Sequence, residues 1–195
     1  MYLFGAVAVV LAAGMVVLFA MLGELSARVG TAGPAGGTGT VQLLTDAAVG
    51  HAPGRWPVGI AAQADADLAI VVVLSTTCTS CGQVATQLRD HPELADPAGW
   101  SILVATEDPA HAEAFLARYA LDRLPHDVDV DGGWARAEFG VHSSPTALVF
   151  RSGRLASAVS FADLTVLRAT VLDRAADDEG DAHQAENAAH PASRA

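Results

Sequence analysis

LAIVVVLSTTCTSC, residues 68–81, is the stretch that decides the fold, because in it an apolar run leads directly into the two cysteines of the chain. Leu68–Leu74 is continuous, apolar and rich in β-branched residues, a pattern typical of a strand buried on both faces of a sheet. Cys81–Arg89 follows with helical spacing, since Val84 and Leu88 fall on one face. The stretch therefore predicts a strand that leads into a helix, with both cysteines at the junction.

The residues that follow alternate between strand and helix patterns. Trp100–Ala105 predicts a second buried strand, and Ala110–Ala120 predicts an amphipathic helix. Thr146–Phe150 and Leu155–Ser160 predict a hairpin closed by a glycine-containing turn. Asp163 predicts the N-cap of a last helix. The order β-α-β-α-β-β-α indicates an α/β sandwich with parallel strands first and an antiparallel hairpin at the end.

The two ends of the chain differ from this central part. Residues 1–23 carry no charged side chain, and at ~1.5 Å per residue such a run spans the ~30 Å hydrocarbon core of a bilayer. The run is long for a signal peptide and no Lys or Arg precedes it, which favours a retained transmembrane anchor over a cleaved signal. We expect a flexible linker over 24–40, one folded domain over 41–175 and a disordered acidic tail over 176–195.

Charge and cysteine count exclude several classes of protein. The chain has 11 basic residues, all of them Arg, against 22 acidic residues, and its net charge is −11. It therefore lacks the basic surface that binds a phosphate backbone, which excludes nucleic acid as a partner. Two cysteines cannot form a disulfide-dense scaffold or a four-thiolate zinc site. Arg28, just after the apolar run, weakly favours a cytoplasmic domain by the positive-inside rule.

The motif Cys78-Thr-Ser-Cys81 predicts redox chemistry. At a helix N-terminus, unpaired N–H groups and the helix dipole favour a thiolate, so the pKa of Cys78 should lie below that of a free thiol. Cys81 lies one turn later, so Cys78 is predicted to attack a partner's disulfide and Cys81 to resolve the mixed disulfide. A purely structural disulfide is one alternative, although so short a loop removes little unfolded-state entropy. A metal site is another and would need further ligands, such as His51 or His142.

Three motifs in this order resemble the thioredoxin superfamily, above all its membrane-anchored branch of TlpA/ResA-type and MauD-type thiol–disulfide oxidoreductases. They are VGHAP (49–53), VVVLSTTCTSC (71–81) and FGVHSSPT (139–146), the last followed by ALVFRSGRL. The segment VATEDPAHAEAFL (104–116) is similar to a MauD-type stretch. The resemblance covers residues 47–172. It implies a thioredoxin-like three-layer α/β sandwich, with a central mixed sheet and helices on both faces, and no cofactor besides the redox-active disulfide of Cys78 and Cys81.

The resemblance also implies roles outside the cysteine motif. Pro145 matches the family's cis-proline, which packs against the active-site cysteines; an ordinary proline at a strand start is the alternative. Ser144 and Thr146, on either side of it, would then bind an extended substrate segment by β-augmentation. The implied partners are protein thiols and disulfides and a membrane donor or acceptor of electrons. The implied location is the outer side of the cell membrane, which is opposite to the side that Arg28 favours by the positive-inside rule.

The chain departs from the family pattern near the cysteines. Thr77 stands where thioredoxin has Trp, Val72 stands near the position of its buried carboxylate, and residues 82–85 lack the TlpA/ResA-type glutamate. A resolving thiol still needs a proton acceptor. Glu107 follows the second predicted strand, whose C-terminal end shares a sheet edge with the loop before Cys78, and is therefore the candidate. A solvated acid at a helix start is the alternative reading of Glu107.

Asp127, Asp129 and Asp131 alternate just before two glycines. They lack the downstream bidentate Glu of a calcium loop, so the pattern predicts a polar turn. The tryptophans at 56, 100 and 134 are predicted to be core or rim aromatics. His142 could line the redox site or lie in a surface loop.

These observations predict a membrane-tethered thiol–disulfide oxidoreductase that acts on extracytoplasmic proteins. Its task would be the maturation of cytochrome c or of a secreted or periplasmic enzyme such as an amine dehydrogenase. Two alternatives stay open. Ser75, three residues before Cys78, is similar to a peroxiredoxin motif, although Val71 stands where that family has Pro. A non-enzymatic copper carrier is the other alternative, but it would favour a wider Cys-x-x-x-Cys spacing and a downstream His ligand.

Overall fold

The computed structural model describes residues 41–96 and 98–171. The predicted anchor over 1–23, the linker over 24–40 and the acidic tail over 176–195 lie outside these residues. Within the described part, no helix is both long enough and apolar enough to cross a membrane.

Six strands and four helices form the described part of the chain. The strands are β1 (Gln42–Leu43), β2 (Leu68–Ser75), β3 (Trp100–Thr106), β4 (His126–Val130), β5 (Thr146–Arg151) and β6 (Arg154–Ser160). The helices are α1 (Thr79–Asp90), α2 (Pro109–Arg118), α3 (Gly133–Phe139) and α4, which covers residues 164–171. Two short 3-10 helices cover Val58–Asp65 and Pro92–Leu94.

The strands form one mixed sheet in the order β1-β6-β5-β2-β3-β4. β2, β3 and β4 are parallel, whereas β5 pairs antiparallel with both β2 and β6. β1 adds two residues at one edge. This arrangement confirms the predicted succession of parallel strands followed by an antiparallel hairpin.

Two apolar cores lie on opposite faces of this sheet, and β2 contributes to both. Ile70, Val72 and Leu74 face the core formed with α1, α2 and α4. Ala69, Val71 and Val73 face the core formed with α3 and the longer 3-10 helix. Because alternate side chains of a strand point to opposite faces, a strand covered on both sides must be apolar throughout. The predicted three layers are confirmed.

β4 and α3 were not predicted, and the polar turn expected around Asp131 accounts for only part of this segment. The burial of Asp129 explains why this segment forms a strand and a helix. Its side chain is 4% exposed, and its carboxylate accepts hydrogen bonds from the backbone N–H groups of Trp134 (2.7 Å) and Ala135 (3.1 Å). These bonds satisfy N–H groups in the first turn of α3 and so permit burial of a charged group. The turn itself is present, since Gly132 has a φ of +63°.

Gly59 allows the longer 3-10 helix to lie directly against the outer strand β4. A Cβ atom at this position would lie 1.9 Å from the carbonyl oxygen of His126. The N–H of Gly59 donates to the carboxylate of Asp127 at 2.8 Å. The close approach therefore depends on the missing side chain, and it covers the first part of the β4 edge.

Candidate active site

Cys78 lies at the junction of β2 and α1, as predicted. It is the N-cap residue of α1, with an extended backbone (φ −93°, ψ 121°). Its Sγ accepts a hydrogen bond from the backbone N–H of Cys81 at 3.3 Å. This N–H is one of the donors that a helix start leaves without an intrahelical partner, and the sulfur here takes the place of the usual capping oxygen.

Two serines complete the surroundings of the Cys78 sulfur. The hydroxyl of Ser80 lies 3.1 Å from Sγ. On the other side, the thiol donates to the carbonyl oxygen of Ser144 at 3.4 Å. Cys78 itself is partly exposed, so a second molecule can approach this residue.

These contacts lower the pKa of Cys78. Burial is the largest single influence and favours the neutral thiol, but it is outweighed by hydrogen bonds from the Cys81 side chain, from Ser80 and from the Cys81 backbone. Since only a thiolate attacks a disulfide, the change increases the reactive fraction at neutral pH. The direction agrees with the prediction made from the helix start.

Cys81 has the opposite environment. Its side chain is 0% exposed and packs in the core with Val84, Ala85 and Leu88 of α1. Burial, followed by a hydrogen bond to Cys78, raises its pKa to about 12. Cys81 therefore keeps its proton at neutral pH, whereas the surroundings of Cys78 favour the loss of its proton. Both cysteines are free thiols here, so this is the reduced form of the pair.

The loop before β5 forms the other wall of the site. The Ser144–Pro145 peptide bond is cis, and the carbonyl of Ser144 contacts the Cys78 sulfur. Thr146 is fully buried, and its hydroxyl donates to the carbonyl oxygen of Ser143 at 2.8 Å. Of the two residues expected to bind substrate, Ser144 is half-buried beside Cys78, whereas the hydroxyl of Thr146 bonds within the loop.

A cavity of about 520 Å³ adjoins this loop at the carboxyl edge of the parallel strands. Glu107 and His142 both line it, and both are exposed. The prediction that Glu107 shares an edge with the cysteine loop is therefore correct. The groups that shift the pKa of Cys81 are Cys78, Ser144 and Ser75, together with burial. Glu107 lies at the cavity and its role as proton acceptor stays a prediction.

The alternatives can be compared with the same geometry. In residues 41–96 and 98–171, no group of three or more His, Cys, Asp or Glu side chains could hold a metal ion. Of the two histidines considered as extra ligands, His51 pairs with Glu138 at 3.1 Å, and His142 lines the cavity. Ser75, the residue behind the peroxiredoxin comparison, directs its hydroxyl to that of Thr77 at 3.2 Å.

The contributions of hydroxyl groups were not predicted from the sequence. Ser80 was considered only as part of the cysteine motif, although the Ser80 hydroxyl contacts the reactive sulfur. Also not predicted was a bridge between the loops after β2 and β3, in which Thr76 donates to Thr106 at 3.2 Å. A usable signal was present, because Ser and Thr at helix starts commonly bond to nearby groups. The expected core or rim positions of the three tryptophans are confirmed.

Solved structures are similar to this chain, although no protein-family model and no curated protein sequence matches it. A candidate protein disulfide isomerase from Bacteroides thetaiotaomicron is 12% identical with a TM-score of 0.51, covering 73% of this chain and 98% of its own. A secreted Mycobacterium tuberculosis disulfide oxidoreductase, homologous to E. coli DsbE, is 19% identical with a TM-score of 0.45, covering 55% and 81%. A DsbE-type thiol:disulfide interchange protein from Chlorobium tepidum is 16% identical with a TM-score of 0.41, covering 67% and 97%.

At such identities a match concerns the fold. The Bacteroides structure, together with the strand order and the cis-proline loop facing a Cys-x-x-Cys helix start, makes the fold of this chain thioredoxin-like. The expected fold class is therefore confirmed for the described residues.

Proposed function

We propose that this protein is a thiol–disulfide oxidoreductase that exchanges disulfides with other proteins through Cys78 and Cys81. The observation that carries the proposal is the unequal environment of the two thiols. Cys78 is partly exposed and caps α1, and its sulfur accepts a backbone N–H at 3.3 Å. Cys81 is buried one turn further along the same helix. A nucleophile in front of a protected resolving thiol is the arrangement that disulfide exchange requires.

The reaction proceeds in two exchanges. The Cys78 thiolate attacks one sulfur of a partner's disulfide, forms a mixed disulfide and releases the partner's other sulfur as a thiolate. Cys81 then loses its proton and attacks Cys78 Sγ, which forms the Cys78–Cys81 disulfide and releases the second partner thiolate. The partner gains two electrons and the pair loses two. The reverse sequence oxidises a partner dithiol.

Ser144 is the residue that would bind the partner next to the reacting sulfur. Its carbonyl lies 3.4 Å from Cys78 Sγ, and its loop leads directly into β5. An extended partner segment could pair with this backbone as an added strand, which leaves its cysteine beside Cys78. Recognition of this kind depends on the main chain and would suit more than one partner sequence.

We further propose that the domain is tethered by residues 1–23 and acts outside the cytoplasm. The uncharged run in the sequence supports the tether. The motifs shared with TlpA/ResA-type and MauD-type proteins support maturation of cytochrome c or of a secreted enzyme such as an amine dehydrogenase. A membrane protein that carries electrons would then restore the starting state of the pair.

Trapping a mixed disulfide tests the proposal. The full chain with Cys81→Ala should accumulate a covalent adduct with its partner, because the resolving attack is removed, and the adduct should disappear on treatment with a reductant. Cys78→Ala is the matched control and should give no adduct. Equal adducts from both variants, or none from either, would contradict the assigned roles. Peroxide consumption by the reduced wild-type chain at a rate above that of disulfide exchange would favour the peroxidase instead.

A further inference from the structure

The cavity beside Cys78 is built from four loops at the carboxyl edge of the parallel strands. These are the loops that follow β2, β3 and β4 and the loop that precedes β5. Its volume of about 520 Å³ lies within the range of about 300–1,000 Å³ typical of small-molecule sites.

The lining of the cavity combines apolar, hydroxyl-bearing and charged side chains. Small apolar side chains form part of the wall, namely Val73, Ala105, Ala135 and Val141. Six hydroxyl-bearing residues also line it, namely Ser75, Thr76, Thr77, Thr106, Ser143 and Ser144. The charged and imidazole groups are Glu107, His111, Asp131, Arg136 and His142, all of them exposed. Such a wall is more polar than that of most small-molecule pockets, and its charged groups have both signs.

The cavity meets the reactive cysteine at its edge. Ser75 accepts the backbone N–H of Cys78 at 3.3 Å, Thr77 precedes Cys78 in the chain, and the Ser144 carbonyl contacts its sulfur. All three residues line the cavity. A ligand in the cavity could therefore place a sulfur atom across this edge and against Cys78.

We propose that the cavity binds a low-molecular-weight disulfide carrying both carboxylate and ammonium groups, such as cystine, as a second substrate of the redox pair. The inference rests on the proposed function and adds a small co-substrate to the protein partners. Arg136 donates one guanidinium N–H to the backbone carbonyl of Asp131, and its other N–H groups are donors for a carboxylate, while Glu107 supplies an acceptor for an ammonium group. The hydroxyl groups that also line the cavity suit the polar groups of such a ligand.

The chemistry is the same exchange with a small partner. The Cys78 thiolate attacks one sulfur of RSSR, which forms Cys78–S–S–R and releases RS⁻. Cys81 then attacks Cys78 Sγ, forms the intramolecular disulfide and releases the second RS⁻. The two thiol protons of the pair end on two RSH molecules. The pair is oxidised by two electrons and the small disulfide is reduced by two.

The composition of the wall favours this ligand over an apolar side chain of a protein partner. An apolar group would displace water from this polar wall and offer it no hydrogen bond in return, which costs free energy. A ligand that carries charges of both signs can pair with Arg136 and Glu107 together. A ligand with one kind of charge can pair with only one of them.

The test uses the reduced full chain and four small disulfides as probes. They are cystine (zwitterionic), cystamine (amines only), 3,3′-dithiodipropionate (carboxylates only) and bis(2-hydroxyethyl) disulfide (neutral). Each rate constant is divided by that of free 2-mercaptoethanol with the same probe, which removes intrinsic differences in reactivity. We expect the corrected rate for cystine to exceed that for the neutral probe by at least tenfold.

Two variants remove parts of the site and one serves as a matched control. Arg136→Gln should reduce the cystine preference by about tenfold, since a hydrogen bond to a charged group is lost. Ala105→Phe fills the cavity from the end of β3 and should abolish the preference. Arg118→Gln removes an exposed arginine of α2 that lies outside the cavity and should leave every ratio unchanged. If Ala105→Phe fails to fold, Arg136→Gln still decides the matter.

The outcomes separate this inference from the proposed function. A cystine preference that falls in Arg136→Gln and persists in Arg118→Gln supports the site. Equal corrected rates for all four probes, or a preference that Arg136→Gln leaves intact, overturns it. A preference for cystamine over cystine overturns it as well, because the cavity would then select positive charge alone. If the reduced chain fails to reduce a protein disulfide, the proposed function itself is wrong.

Discussion

Replacing Ser80 with Ala should raise the pKa of Cys78 and change how its reactivity depends on pH. The hydroxyl lies 3.1 Å from the sulfur and can donate to the thiolate, so its removal withdraws stabilisation from the charged form. A hydrogen bond to a charged group contributes about 1.5–3 kcal/mol. The sulfur is partly exposed and water can replace part of the loss, so we take about 1.4 kcal/mol, which corresponds to about one pKa unit.

This magnitude gives opposite effects at the two ends of the pH range. Below both pKa values the thiolate fraction falls about tenfold, but a thiolate of higher pKa is a better nucleophile by about threefold (Brønsted coefficient ~0.4–0.5). Ser80→Ala should therefore react about threefold more slowly than wild type at low pH. Well above both pKa values, where each Cys78 is fully ionised, it should react about threefold faster.

Alkylation with iodoacetamide across a range of pH measures both effects in the reduced chain. Thr79→Ala is the matched control, because it removes a hydroxyl from the neighbouring, exposed position of the same motif. The two rate profiles of wild type and Ser80→Ala should cross. Parallel profiles, or a pKa shift in Thr79→Ala as large as that in Ser80→Ala, would refute the assignment of the Ser80 hydroxyl.

Three further predictions concern stability. Because the pKa of Cys81 is raised to about 12, the native state keeps a proton that the unfolded chain loses above pH ~8.5. The free energy of unfolding of the reduced chain should therefore fall by up to about 1.4 kcal/mol per pH unit above that value. Urea titrations at several pH values should show a smaller dependence of this free energy on pH for Cys81→Ala. Asp129→Ala should lower the free energy of unfolding by about 2 kcal/mol, since two buried N–H groups of α3 lose their acceptor; a loss below about 0.5 kcal/mol would contradict this. Gly59→Ala should lower the free energy of unfolding by at least ~2 kcal/mol, because the new Cβ would clash with the His126 carbonyl. The control Gly54→Ala should lower it far less, since its Cβ would lie 3.7 Å from the nearest atom. Equal losses in thermal or urea unfolding would contradict the clash at Gly59.

The junction of β2 and α1 could be predicted because its pattern permits few alternatives. A continuous apolar run with β-branched residues suits a strand covered on both faces, and the two cores each receive alternate side chains of β2. The helical spacing after Cys81 then fixes which face of α1 is buried. The direction of the pKa shift of Cys78 could be predicted from the helix start, because the Cys81 N–H that bonds its sulfur belongs to the same helix.

β4 could not be predicted in the same way, because the burial of Asp129 in it depends on hydrogen bonds from α3, a helix that was itself not predicted. His126–Val130 contains two acids, and polar residues of this kind usually indicate a turn. Asp129 can be buried in a strand because α3 presents two N–H groups to it. The alternation of Val128 and Val130 with polar residues was the available signal for a strand, although it indicates the wrong buried face, since Val130 is 50% exposed and Asp129 is buried.

The surroundings of the cysteines could be predicted only in part, because some of their contacts join residues far apart in the chain. The edge of the sheet at which Glu107 lies follows from the parallel order of β2 and β3. Its position along that edge depends on loop lengths and on the course of the following helix, which have no periodic pattern. The contact between the Ser144 carbonyl and Cys78 joins residues 66 positions apart, and only the resemblance to a known family pointed to it.

The buried face of α1 also determines the order of the two chemical steps. Cys81 belongs to the same apolar face as Val84 and Leu88, so the periodicity that packs the helix on the sheet also buries the resolving thiol. Its pKa is raised first by burial and then by its hydrogen bond to Cys78. Once Cys78 is joined to a partner it no longer carries a negative charge, so the second influence disappears while the first persists. Formation of the mixed disulfide should therefore make Cys81 more acidic at the step in which its thiolate is needed.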